Sequence, residues 1–140
     1  MGKIKLPIIA IIDDDEILQF TIKKLIYETG KANKAISFLN GTYAIDFIRN
    51  NRNNPNVLPD IILLDIYMPS MNGFVFLEKF EEIKKDVKKD ITIYVSSSTI
   101  TEEEIKKILA MPNAKEFLSK PVPKEVLVKV LQDYIDANPS

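Results

Sequence analysis

The chain has no cysteine and no histidine among its 140 residues. Without thiols it has no disulfide framework and no thiol chemistry. Without imidazole it lacks the commonest general base, and Ser-His-Asp catalysis and ordinary zinc sites are excluded. Charge of one sign is also missing: 19 Lys and Arg face 20 Asp and Glu, so no basic excess advertises nucleic acid or anionic membrane, and neither is expected as a partner. Nor is there a long apolar run. Met1-Gly2-Lys3-Ile4-Lys5 leads into a stretch that meets three acids at Asp13, too short for a signal-peptide core or a membrane span. A cytoplasmic location is expected.

What is present is a 46% apolar chain, enough for a sizeable core in one domain. Pro7 to Ile12 is a short continuous apolar run, rich in β-branched residues, that suits a strand buried on both faces. It stops on Asp13-Asp14-Asp15. Leu18, Ile22, Leu25 and Ile26 then recur at helical spacing before Gly30. The pattern repeats. Ala35 to Leu39 reads as a strand, and Ala44, Phe47 and Ile48 mark a helix that runs out in Asn50 to Asn54. Ile61 to Leu64 reads as a strand ending on Asp65, and a helix presents Phe76 or Leu77, Phe80, Ile83 and Val87. Ile91 to Val95 predicts a strand ending on Ser96-Ser97-Ser98, and Thr101 with Glu104 predicts a capping box ahead of Ile105, Ile108 and Leu109. Lys115 to Ser119 predicts the last strand, ending on Lys120-Pro121; a helix starting near Pro123 carries Leu127, Val130, Leu131 and Tyr134 on one face.

Five strands alternating with five helices imply a parallel sheet with right-handed crossovers and helices on both faces. The expected unit is one domain over 1–140, with its core at about 7–137 and no room for an output domain. In such open sheets ligands gather outside the carboxyl ends of the strands. Asp13 and Asp14, Asp65, Ser96 and Lys120 fall at four of those ends. Two carboxylates about 4 Å apart repel by roughly 4 kcal/mol at an effective dielectric constant near 20, so the cluster calls for a cation. All-oxygen ligands favour a hard ion, Mg²⁺ first and Mn²⁺ as a substitute. A lysine ammonium and a serine hydroxyl beside it suit the remaining oxygens of a phosphoryl group carried on a carboxylate. Any one of these features alone is ordinary: Asp-rich turns cap helices, serine runs are loops and lysines are solvated. Their coincidence on one rim carries the reading.

These residues resemble the response-regulator receiver domains from Pro7 to about Ala137. The most specific stretch runs Pro59-Asp60-Ile61-Ile62-Leu63-Leu64-Asp65-Ile66-Tyr67-Met68-Pro69-Ser70-Met71-Asn72-Gly73, which looks like the family's phosphorylation segment. The resemblance implies a flavodoxin-like (βα)5 fold with strand order 2-1-3-4-5. It implies that Asp65 accepts the phosphoryl group, that Asp14 binds Mg²⁺ directly, and that Asp13 does so directly or through water. Tyr67 would add its backbone carbonyl. Ser96 takes the place of the switch Thr or Ser, and Lys120 pairs with the acceptor or its phosphoryl oxygens before a cis bond to Pro121. Pro69, Gly73 and Pro121 would be structural. Phe117 stands where many members have a switch tyrosine, so a ring swing is retained without a hydroxyl. Ser97, Tyr67 and Ser98 lie where access to the phosphoryl group is tuned.

The implied role is a signalling switch, not a conventional enzyme, catalysing its own phosphoryl transfer and slow dephosphorylation. With no histidine of its own, it would need a sensor histidine kinase, a histidine phosphotransfer protein or a small phosphodonor, and a downstream protein target. A monomer or a weak phosphorylation-dependent dimer is expected. Haloacid-dehalogenase phosphatases also pair Mg²⁺ with an aspartyl phosphate, but their signature differs from Asp13-Asp14-Asp15-Glu16-Ile17 and they need a cap or long loops. A pseudo-receiver usually lacks one of the acidic pair, the acceptor or the lysine. A flavodoxin-like FMN protein would want a Ser/Thr/Gly-rich first loop instead of three carboxylates.

Overall fold

The computed structural model describes residues 5–68, 71–98 and 101–139. Five strands alternate with five helices: β1 (Ile8–Ile12), α1 (Glu16–Thr29), β2 (Lys34–Phe38), α2 (Gly41–Asn50), β3 (Ile61–Asp65), α3 (Gly73–Ile83), β4 (Thr92–Ser97), α4 (Glu102–Leu109), β5 (Ala114–Ser119) and α5 (Lys124–Ala137). All strand pairs are parallel, in the order β2-β1-β3-β4-β5. This is the doubly wound arrangement the alternation predicts.

The side-chain alternation of strands, with both sheet faces covered, explains why β1 is apolar throughout and β3 is apolar up to Asp65. Ala10, Ile12, Ile62 and Leu64 point into a core shared with Ala44 and Ile48 of α2, Phe76 and Phe80 of α3 and Ile108 of α4. Ile9, Ile11, Ile61 and Leu63 point the other way, onto Ile22 and Ile26 of α1 and Leu127 and Leu131 of α5. Each such Ile, Leu or Phe side chain contributes about 1.5–3 kcal/mol on burial, so both faces hold the central strands.

Helix starts follow their side chains. Asp15 accepts from the amides of Ile17 and Leu18, Asn40 from Tyr43, and Asn72 from Val75. Thr101 and Glu104 form the expected capping box. Gly30 ends α1 in the left-handed region at φ 66°, where a Cβ would be strained.

Several boundaries differ from expectation. β2 starts and ends one residue early, leaving Leu39 exposed, because Asn40 is taken up as the α2 cap. α3 stops at Ile83 and tightens into a 3-10 turn over Lys84–Asp86, so Val87 reaches the core as an extended residue beyond the helix. β4 runs on through Ser96 and Ser97, which pair with Leu118 and Ser119 of β5. Among the described residues no helix is long and apolar enough to cross a membrane.

Candidate phosphoacceptor site

The carboxyl ends of β1, β3 and β4 and the residue after β5 converge on one rim. Asp65 is the last residue of β3 and stands in register with Ser96 of β4. Asp13, immediately after β1, is drawn in by its own amide, which donates to the carbonyl of Phe38 at 3.1 Å. Asp13, Asp65, Ser96 and Ser97 are all buried, whereas Asp14 and Asp15 are exposed. Asp15 thus has the ordinary capping role, while its two neighbours face the rim. One carboxylate oxygen each from Asp13, Asp14 and Asp65 lie within 4.8 Å of one another.

Lys120 neutralises part of this charge. Its Nζ lies 2.6 Å from Asp13 Oδ2 and 3.2 Å from Asp65 Oδ1, so it bridges both acids and sits nearer Asp13 than Asp65. Its backbone amide donates to the carbonyl of Ser97 at 3.1 Å, and its peptide bond to Pro121 is cis. Burial raises the Asp65 pKa, the Asp13 charge raises it further, and Lys120 opposes both. Burial alone would lower the Lys120 pKa, but the hydrogen bond and charge of Asp13, then the charge of Asp65, hold it above its ordinary value.

The loop after Asp65 is held against the strand by close packing. Gly73 donates its amide to the carbonyl of Ile66 at 2.7 Å. A Cβ at Gly73 would fall 2.9 Å from Ile66 Cα and 3.2 Å from the carbonyl oxygen of Asp65, so glycine is required by the backbone itself. The Tyr67 amide donates to Asp65 Oδ1 at 3.4 Å, and its phenol donates to Glu104 of α4. That bond raises the Tyr67 pKa and lowers that of Glu104. Phe117 of β5 is half-buried and in register with Val95. Pro69 lies outside the described residues.

Three positioning residues escape the apolar pattern. Gln19 is buried, and its Nε2 lies 2.9, 3.1 and 3.0 Å from the carbonyls of Ile11, Asp13 and Phe38, tying α1 to the turn that carries the acidic pair. Its signal is a polar residue three before Ile22 and seven before Ile26, on the buried stripe of α1. Asp60, at the other end of β3, accepts from the Ile8 amide and the Tyr134 hydroxyl at 2.9 Å each and pairs with Lys89 at 3.2 Å. Glu104 was legible only as a cap.

The fold and rim define a class first: a doubly wound α/β domain with an acidic, lysine-bridged site at the carboxyl ends of its strands. The family model for the response regulator receiver domain matches residues 9–132, and the chain belongs to that family. It is 30% identical over 135 residues to a protein-glutamate methylesterase/protein-glutamine glutaminase of Treponema pallidum, covering 92% of this chain but 31% of that protein. A relative of the same name from Treponema denticola is spanned over 28% of its length. The chain thus matches under a third of either. Protein PilH of Pseudomonas aeruginosa is 25% identical over 88% of this chain and 93% of its own length. Among solved structures, a receiver protein from Dyadobacter fermentans is 30% identical with a TM-score of 0.76, over 91% of this chain and 96% of its own. A two-component response regulator from Cytophaga hutchinsonii superposes with a TM-score of 0.81 at 24% identity, over 96% of this chain and all of its own. Receiver domains are signalling switches of two-component systems.

Proposed function

We propose that Asp65 accepts a phosphoryl group in a Mg²⁺-dependent reaction, and that its modification switches a protein-binding surface. The observation that carries the reading is the Lys120 ammonium shared between Asp13 and Asp65 beside a third carboxylate, Asp14. Three anionic oxygens within 4.8 Å fit one hard cation, whose opposite octahedral ligands stand about 4 Å apart. Asp13, Asp14, Asp65 and the backbone carbonyl of Tyr67 would hold it. Bound there, Mg²⁺ would neutralise phosphoryl oxygens and lower the repulsion between donor and acceptor.

The chain's own groups supply the rest. An Asp65 carboxylate oxygen bonds to phosphorus as the donor's P–N bond breaks, and that electron pair leaves with the donor imidazole. The donor is a separate histidine kinase or histidine phosphotransfer protein, since this chain has no histidine, and the proposed compartment is the cytoplasm. Lys120 pairs with phosphoryl oxygens, and the Ser96 hydroxyl donates to another. Drawing Ser96 toward the phosphoryl group, which carries about −2 charge, repacks β4 against Phe117 on β5, and a downstream protein reads the changed face. Hydrolysis of the aspartyl phosphate, slowly catalysed at the same site, resets it.

Acetyl phosphate with Mg²⁺ should add one phosphoryl group to the wild type, measured by intact mass, and none to Asp65→Asn. An equally modified mutant would place the acceptor elsewhere.

A further inference from the structure

We propose that Tyr67 and Glu104 form a resting-state latch that ties helix α4 to the phosphoacceptor loop, and that modification of Asp65 opens it. This rests on the reading of Asp65 as acceptor.

The latch has a fixed end and a sensing end. Glu104 is the fixed end: its Oε1 accepts from the amide of Thr101 at 3.3 Å and the hydroxyl of Thr101 at 3.1 Å, while Oε2 accepts from the Tyr67 phenol. Both carboxylate oxygens are thus engaged, one in the cap and one in the tie. Tyr67 is the sensing end, because its amide donates to Asp65 Oδ1. A residue 46% exposed has water as an alternative partner; its phenol nevertheless bonds an anion on a different element. The tie runs from the loop after β3 to the helix after β4, past the strand end that carries Ser96 and Ser97.

Helix α4 is the element such a tie can hold. It is eight residues long and its only buried side chain is Ile108, against three for α5. Its first turn carries Glu102, Glu103 and Glu104. A short helix with one buried anchor belongs to the low-stability part of a fold, and a single charge-assisted hydrogen bond is a large share of what fixes it. A phosphoryl group on Asp65 removes carboxylate character from the acceptor of the Tyr67 amide and, by putting a group of about −2 charge where a carboxylate of about −1 stood, makes the rim that Tyr67 joins to Glu104 more negative by about one unit. Both changes weaken the latch, and α4 is released. Conversely, opening the latch first makes the modified state easier to reach.

Amide NMR spectra of the wild type, Tyr67→Phe and Glu104→Gln, titrated with beryllofluoride in Mg²⁺ as the phosphoryl mimic, test this. Tyr67→Phe removes the hydroxyl and keeps the ring and backbone carbonyl; Glu104→Gln weakens the acceptor and keeps a residue competent for the capping box. Without the mimic, the Ile108 and Leu109 amides of both variants, a turn away from Glu104, should lie part-way along the line from unbound to bound wild type. The half-saturating beryllofluoride concentration should fall about fivefold in each, and the double variant should add little to either single change. Variants that keep wild-type Ile108 and Leu109 positions, or bind the mimic no more tightly, would overturn the latch alone. A wild type whose spectrum does not respond at all would overturn the acceptor reading and the latch with it.

Discussion

The ammonium of Lys120 lies closer to Asp13, at 2.6 Å, than to the proposed acceptor Asp65, at 3.2 Å. The lysine therefore does two things in the unmodified protein. It offsets a buried carboxylate from β1 and leaves part of its charge available at the end of β3. On the proposed reading, a cation arriving at Asp13 would compete with Lys120 and free the ammonium for phosphoryl oxygens.

Removing that ammonium should be costly. We predict that Lys120→Ala lowers stability by about 3 kcal/mol in urea unfolding without divalent cations, because two buried carboxylates lose their counter-charge. Millimolar Mg²⁺ should recover part of the loss. A variant within about 0.5 kcal/mol of wild type, the usual range for inert surface changes, would show that the bridge is not a structural charge pair.

The two acids on either side of the bridge should behave differently. Asp65 is buried with its carboxyl pushed up by that burial and by Asp13, so Asp65→Asn should raise the melting temperature of the metal-free protein by about 2–4 °C. Asp14 is exposed, so Asp14→Asn should leave the metal-free melt little changed while abolishing most of the Mg²⁺-induced shift. Thermal melts of both variants with and without Mg²⁺ decide the matter. An undiminished Mg²⁺ shift in Asp14→Asn would remove that residue from the metal site.

Gln19 supports the same turn from beneath. Gln19→Leu fills a similar volume but leaves the carbonyls of Ile11, Asp13 and Phe38 without that donor, and we predict a loss of about 2 kcal/mol. Hydrogen exchange should quicken at the Asp13 amide, whose bond to Phe38 lies in the same turn. Unaltered exchange at Asp13 together with unaltered stability would mean that water replaces the amide without consequence.

Much of the site was legible because parallel strands place chemistry at their ends. Once the apolar runs of β1 and β3 are recognised as strands, Asp13, Asp14 and Asp65 must share a rim. Gly73 could be recognised only within the longer motif, since nothing local in Asn72-Gly73-Phe74 reveals the backbone of Ile66 packed against it. Asp60 stood in plain view beside β3, yet its partners Ile8, Lys89 and Tyr134 come from three distant parts of the chain.

The sequence by itself determined the alternation of strands and helices, the caps at Asp15 and Thr101 and the grouping of acids with Ser96 and Lys120, because these depend on periodicity and on residues a few positions apart. Only the tertiary structure decided that Lys120 bridges Asp13 as well as Asp65, that Asp14 faces solvent, and that Tyr67 reaches Glu104. Those outcomes depend on where side chains from different elements end in space, with 107 positions separating Lys120 from Asp13 and 37 separating Tyr67 from Glu104, and no local preference of the chain encodes such a distance.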